Sequence, residues 1–301
     1  MKAWMGLLVA LPVVVAPSAS AADDPLLRPI ASDYAARWLR PQAPARIFGD
    51  TYLVGFAGMT VALIRTEAGL ILIDGALPQG VPAIEENIRR LGFDVKDVRL
   101  ILSTEPHYDH AGGLAALARD SGATVIASVP AAALLRRGES GPDDPQAGTL
   151  AAFPPVAKLR AVRDGERIRL GGTTITARAT PGHTTGSMSW AWRSCEGARC
   201  ADILFGSSLN PVSADGYRFS DPAHRATVAA FRRSFATVRA MKCDILLTAH
   251  PDHSGGDGKI ARLAQGAEPN PFIDPAACRA YADKYEAVLD ARLAKEAAGG
   301  R

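Results

Sequence analysis

The sequence predicts an α/β protein folded as a four-layer α/β/β/α sandwich. Three observations carry that expectation. The chain has two halves, each rich in short strands bounded by turn residues. Each half then passes through a helix with one apolar face into a strand that delivers a histidine-bearing loop. No repeat and no low-complexity linker separates the halves, so two sheets packed face to face, with helices outside, are expected as one domain over residues 22–301.

In chain order, residues 1–21 read as a cleaved signal peptide. Lys2 is the positive start, Ala3 to Ala16 is apolar apart from Gly6 and Pro12, and Ala19-Ser20-Ala21 gives a small-x-small cleavage site. The apolar run is shorter than the ~20 residues of a spanning helix. No later segment is apolar enough to span, so a periplasmic protein without a membrane anchor is expected. A short helix around Ser32 to Leu39 leads into a strand-rich stretch from Arg46 to Asp74. Its strands begin at Thr51, Thr60 and Gly69. Val81, Ile84, Ile88 and Leu91 then fall on one helical face, with Gly92 as the stop. Val98 to Ser103 is a buried strand that runs into Thr104-Glu105-Pro106-His107, and a small-residue helix follows from Leu114 to Ala118.

The second half is expected to hold strands at Lys158–Val162, Arg167–Leu170, Thr173–Ala179, Ser187–Arg193 and Ala201–Phe205. A helix from Pro222 to Ala240 aligns Val228, Phe231, Phe235 and Val238. The strand from Asp244 to Thr248 delivers His250, and a last helix starts near Pro275. The segment Gly141 to Gln146 is the longest loop candidate, placed between the halves at the border of a cleft.

Composition narrows the function. With 34 basic and 31 acidic residues, the net charge of +3 gives no footprint for nucleic acid or an anionic surface. In an exported chain, four cysteines suggest disulfides. Cys195 and Cys200 flank a turn and can close a tight loop, which leaves Cys243 for Cys278. A thiolate metal site is the alternative, but the spacings match no zinc-cysteine pattern.

The chemistry concentrates in Glu105-Pro-His107-Tyr-Asp109-His110, four possible ligands just past a strand end. Imidazole and carboxylate both suit zinc. The chain has only six histidines, and two more of them, His183 and His250, also follow strands directly. A lone histidine there is usually structural; together with the 105–110 run, they point to a metal centre. His224, at a helix start, is expected to be exposed, and His253 to lie in a loop.

The run resembles the His-x-His-x-Asp-His motif of the metallo-β-lactamase superfamily. Within it, the chain looks like subclass B3: it carries Pro181-Gly-His183-Thr-Thr-Gly-Ser-Met-Ser-Trp190, Ser207-Ser208-Leu209-Asn210, and Cys243 and Cys278 bracketing His250. The resemblance implies two Zn²⁺ ions, one held by Glu105, His107 and His183, the other by Asp109, His110 and His250. It implies hydrolysis of the amide of penicillins, cephalosporins and carbapenems by a zinc-bound hydroxide, with Asp109 also orienting the nucleophile. It places Ser208 and Asn210 near the site, to position substrate or a bound water, with plain loop structure as the alternative, and gives Asp74 either a supporting role under the metal loop or that of a plain turn residue. Tyr217 is a separate candidate for oxyanion donor. Glu105 departs from the pattern, since the family normally has histidine there; its alternative role is a non-ligating base or outer group. No Ser-x-x-Lys and no Gly-x-Ser-x-Gly occurs, so a serine mechanism has no nucleophile motif. A monomer acting on a small β-lactam is the expected state. The rivals are a lactonase or thioesterase of the same superfamily and a non-catalytic zinc-binding protein.

Overall fold

The computed structural model describes residues 24–299, so the expected signal peptide lies outside the described residues. After the short helix α1 (Ala35–Trp38), four strands form an antiparallel meander: β1 (Ala45–Phe48), β2 (Thr51–Leu53), β3 (Ala62–Thr66) and β4 (Gly69–Ile73). Helix α2 (Val81–Arg90) crosses over to β5 (Val98–Leu102), which pairs parallel with β4. Val81, Ile84 and Ile88 are buried, as their spacing requires, and Gly92 ends the helix region at φ +83°. The metal-loop candidate contains the single-turn helix α3 (Tyr108–Ala111), followed by α4 (Leu114–Ser121), β6 (Thr124–Ser128), α5 (Val129–Arg137) and β7 (Leu159–Val162). The strands β4 to β7 are all parallel, completing a seven-stranded sheet in sequence order.

The second sheet has five strands in the order β12-β11-β10-β9-β8. Strands β8 (Arg167–Leu170), β9 (Thr173–Ala179), β10 (Met188–Glu196) and β11 (Arg199–Gly206) are antiparallel neighbours. Helix α6 (Arg225–Ala240) crosses to β12 (Ile245–Thr248), which is parallel to β11. Helices α7 (Gly256–Ala264) and α8 (Ala277–Ala297) finish the chain.

Three apolar clusters define the layers. Ile64, Ile71 and Ile73 of the first sheet meet Trp190, Trp192, Phe205 and Ile245 of the second in the central core. Outside the first sheet, α2, α4 and α5 bury Ile84, Leu114 and Leu135. Outside the second, Phe231, Phe235 and Val238 of α6 pack with Tyr281 and Leu289 of α8. Each such fully buried large side chain contributes ~1.5–3 kcal/mol of transfer free energy. The result is the expected α/β/β/α sandwich.

Several details differ from the sequence reading. The strand at Leu159–Val162 belongs to the first sheet, not the second half, so the boundary falls after it rather than at the Gly141 loop. The reason is the β6–α5–β7 crossover, whose strand and helix the sequence reading did not assign. Short crossovers of this kind return a strand parallel to its predecessor. The signals were local: Ser128 caps α5 by accepting from the Ala131 N–H at 3.2 Å, a proline stands in its first turn, and Gly138 ends it at φ +72°. Helix α7 was likewise unassigned, and β1 adds a fourth strand before Asp74.

Both disulfides expected from the cysteine pairing form: Cys195–Cys200 and Cys243–Cys278. The first joins directly opposed residues at the end of the β10–β11 hairpin. The second fastens the start of α8 to the segment before β12.

Candidate metal centre

The loops that follow β4, β5, β9, β11 and β12 come together along one edge of the sandwich. Backbone bonds across the sheets fix their relative height. The Met188 N–H of β10 donates to Thr104 C=O at 2.8 Å, and the Thr60 N–H ahead of β3 donates to Ala249 C=O at 2.9 Å. Asp74, fully buried after β4, supports the turn after β5. Its Oδ1 accepts from the Thr104 N–H at 2.8 Å, and its Oδ2 accepts from Thr104 Oγ1 at 2.7 Å and faces His110 Nδ1 at 3.3 Å. It does so at φ +64°, a conformation that aspartate tolerates better than most residues. The metal loop then lies directly on the 74–76 turn. The Gly113 N–H donates to Ala76 C=O at 2.9 Å, and a Cβ on Gly113 would sit 2.2 Å from the Gly75 carbonyl oxygen. Only glycine fits. At the neighbouring loop, Gly182 lies against the ring of Phe231 at φ +141°, which lets His183 turn inward.

Six side chains converge in two groups: Glu105, His107 and His183, and Asp109, His110 and His250. In the second group His110 Nε2 and His250 Nε2 are 3.2 Å apart, and Asp109 Oδ2 lies 3.4 and 3.3 Å from them. In the first, Glu105 Oε1 is 3.8 Å from His183 Nε2, and the rings of His107 and His183 meet edge to face at 4.9 Å. Glu105 also faces the second group, with Oε1 3.1 Å from His110 Nε2. All but His250 are buried, and Glu105 completely so. Unpaired, so many desolvated polar groups carry a heavy cost, whereas a cation would satisfy them together.

Each imidazole has its other nitrogen engaged. His107 Nε2 meets Asp144 Oδ2 at 2.8 Å, and His183 Nδ1 meets Asn210 C=O at 2.9 Å. His110 Nδ1 meets Asp74, and His250 Nδ1 meets Gly58 C=O at 3.3 Å. These acceptors require an N–H on the outward side, so the inward nitrogen of each ring carries a lone pair when the ring is neutral. Outer partners of this kind are characteristic of metal-ligating histidine.

The electrostatics follow from the crowding. Burial opposes the charging of Glu105, but the imidazoles of His110, His183 and His107 and the Ser208 hydroxyl outweigh it and hold the carboxyl at about 2. Burial likewise opposes Asp109, and His110 and His250 hold it well below the usual carboxylate range. For His110, burial is overcome by Asp109, Glu105 and Asp74, which push the imidazole up to about 10. Burial pulls His183 down, against the pull of Glu105. The site is therefore a pocket of ionised carboxylates, suited to cations.

Ser208, Asn210 and Tyr217 are placed differently from one another. Ser208 follows β11 and donates both its N–H and its hydroxyl to Glu105, at 3.1 Å to Oε2 and 2.7 Å to Oε1. Asn210 contributes its backbone carbonyl to His183, as above. Tyr217 stacks on the ring of His224 at 3.8 Å and borders a cavity of about 600 Å³ shared with Asp144, Thr185 and Asp215. His224 is thus half-buried rather than exposed, its Nδ1 2.6 Å from the Arg218 carbonyl. His253 sits in the turn after His250, its ring 4.9 Å from that ligand candidate. The residue that sequence reasoning missed is Asp144. It lies in the Gly141–Gln146 loop that was expected to border the cleft, but an aspartate among loop prolines gives no sign of a distant histidine partner.

A family model described as the metallo-beta-lactamase superfamily matches residues 55–250. Among solved structures, one described as a B3 metallo-beta-lactamase with an active site glutamic acid is 54% identical, with a TM-score of 0.84 over 91% of this chain and 98% of that one. MEM-A1, a subclass B3 metallo-beta-lactamase from a soil metagenome library, is 46% identical, with a TM-score of 0.83 over 87% and 99%. A hydroxyacylglutathione hydrolase of Chromohalobacter salexigens is 26% identical over 77% of this chain and 72% of its own. The chain spans 54% of an uncharacterized relative from Bacillus subtilis, at 32% identity over 42% of this chain.

Proposed function

This chain belongs to the metallo-beta-lactamase superfamily, and from that premise we propose that it is a subclass B3 β-lactamase working with two zinc ions. The carrying observation is the pair of facing ligand groups, each of three side chains with inward-facing donor atoms. The Asp109, His110 and His250 donors stand 3.2–3.4 Å apart. Ligands at ~2.0–2.1 Å from a tetrahedral zinc stand about 3.3 Å apart, so this group fits without rearrangement. The Glu105 group is more open, and a carboxylate oxygen completes it.

Bound zinc would lower the pKa of a water and polarise the lactam carbonyl. The chain's own residues set the rest. Asp109 is held ionised by His110 and His250, so it can accept a hydrogen bond from the attacking water and aim it. Thr104, next to Glu105 in sequence, and Ser208, bonded to its carboxylate, are buried, which keeps bulk solvent from that side of the group. The cavity bordered by Asp144, Thr185, Asp215 and Tyr217 adjoins His107 through Asp144 and offers room for a fused bicyclic amide. Glu105 adds a negative charge where the family has a neutral imidazole, which weakens Lewis acidity at that position.

The same premise covers thioesterases, and the hydroxyacylglutathione hydrolase likeness keeps that reading in view. Against it, Gly206 at the end of β11 and the Ser207-Ser208 that follow offer no aspartate to bridge two metals, and Ser208 bonds to Glu105. Export to the periplasm rests on Lys2, the apolar run and Ala19-Ser20-Ala21. Among the described residues no helix is long and apolar enough to cross a membrane.

The test is a hydrolysis panel on metal-quantified protein, with and without chelator. Penicillins, cephalosporins or carbapenems should be opened in proportion to bound zinc. Intact β-lactams alongside a cleaved lactone or thioester would sink the reading; zinc retained with no turnover of any substrate would favour a binding protein.

A further inference from the structure

We propose that Tyr281, on α8, is a positioning residue for Glu105 that acts through Ser208. The inference rests on the reading of Glu105 as a metal ligand and extends it to a helix outside the site.

The Tyr281 hydroxyl donates to Ser207 C=O at 2.8 Å and accepts from the Leu209 N–H at 3.1 Å. One phenol thus pins the backbone on both sides of Ser208. Ser208 in turn gives its N–H and its hydroxyl to the two oxygens of Glu105. The chain of contacts is fully buried: Tyr281 is 2% exposed, Ser208 1% and Glu105 0%. The Ser207 hydroxyl meets Thr180 Oγ1 at 2.7 Å, so the pinned segment also braces the strand end that leads to His183. Helix α8 is itself anchored beside Tyr281 by Cys243–Cys278.

The need for such a device follows from the ligand. A glutamate side chain has more rotatable bonds than a histidine, and its carboxylate can turn either oxygen, or neither, toward a metal. Ordering it costs conformational entropy on binding. A clamp that fixes both oxygens beforehand removes that cost, as outer contacts do for preorganised sites. Histidine at the same position would leave the Ser208 donors without a carboxylate to hold, so Tyr281 should matter for a glutamate and not for an imidazole.

The experiment uses the full chain stripped of metal and titrated with Zn²⁺ and Co²⁺ against a competing chelator, together with amide exchange of the metal-free protein. The variants are Tyr281→Phe, Ser208→Ala, Glu105→Ala, Glu105→His, and Glu105→His combined with Tyr281→Phe. Tyr281→Phe should weaken metal binding at the Glu105 group roughly tenfold, in the range of lost outer-shell contacts, and leave the Asp109 group as tight as before. Exchange at the Ser208 and Leu209 amides should quicken. Ser208→Ala, which keeps the Tyr281 contacts, should reproduce the metal loss. Adding Tyr281→Phe to Glu105→His should change neither affinity. Native affinity in Tyr281→Phe beside weakened Glu105→Ala would overturn the proposal alone, as would an equal loss at both groups or in the Glu105→His background. Native affinity in Glu105→Ala would overturn the ligand role of Glu105, and the proposal with it.

Discussion

Asp144 Oδ2 stands 2.8 Å from His107 Nε2, and both side chains are buried although they come from separate loops. The carboxylate fixes the ring and leaves Nδ1 turned toward the Glu105 group. It also makes the imidazole more basic, against the opposing effect of burial. Replacing Asp144 by alanine should lower metal affinity at that group by ~10–100-fold, and by asparagine less, because an amide oxygen still accepts the N–H. Chelator competition on the three proteins checks the order; equal affinities would remove Asp144 from the metal's support.

Asp74 carries a structural load apart from the metal. Removing its carboxylate orphans the Thr104 N–H and hydroxyl and the His110 Nδ1–H, all buried. Asp74→Ala should cost about 3 kcal/mol or more of stability even in metal-free protein. Urea denaturation of the stripped proteins reads this directly, and a loss below about 1 kcal/mol would show Asp74 to be an ordinary turn residue.

Metal binding should be linked to protons. His110, raised to about 10, is charged at neutral pH without metal, and zinc requires it neutral. Zinc uptake near pH 7 should therefore release protons to an indicator dye. In the metal-free protein, the raised imidazole contributes stability that is fully present below its ordinary value of 6.5 and is lost as pH climbs toward about 10. Glu105 works in the opposite sense: its contribution is present above 4.5 and lost as pH falls toward about 2. The stripped protein should melt highest between those limits, while the zinc-loaded protein keeps its stability on the alkaline side. Identical alkaline profiles with and without zinc would contradict the assignment.

The two disulfides should differ in worth. Cys243 and Cys278 are 35 residues apart, Cys195 and Cys200 only 5. In the chain-entropy limit these loops correspond to about 4 and about 2 kcal/mol. The short one also links strands already paired in a hairpin. The Cys243→Ser/Cys278→Ser double variant should lose the more stability in urea; the reverse order would mean that the hairpin bridge holds more than its own turn.

By itself, the sequence determined the layers and most of the side chains that converge in the two groups. Periodicity gave α2 and α6 because a buried face repeats along a helix, and strand ends gave His107, His183 and His250 because loops there face one edge. Glu105 was legible because the 105–110 run is local. The tertiary structure alone decided which nitrogen of each histidine points inward, since that depends on acceptors far along the chain: Asp144, Asp74, and the carbonyls of Asn210 and Gly58. It also moved the strand at Leu159–Val162 into the first sheet, a matter of pairing partner rather than local pattern. And it joined Ser208 to Glu105, because two donors meet two carboxylate oxygens only where the segment after β5 reaches the segment after β11.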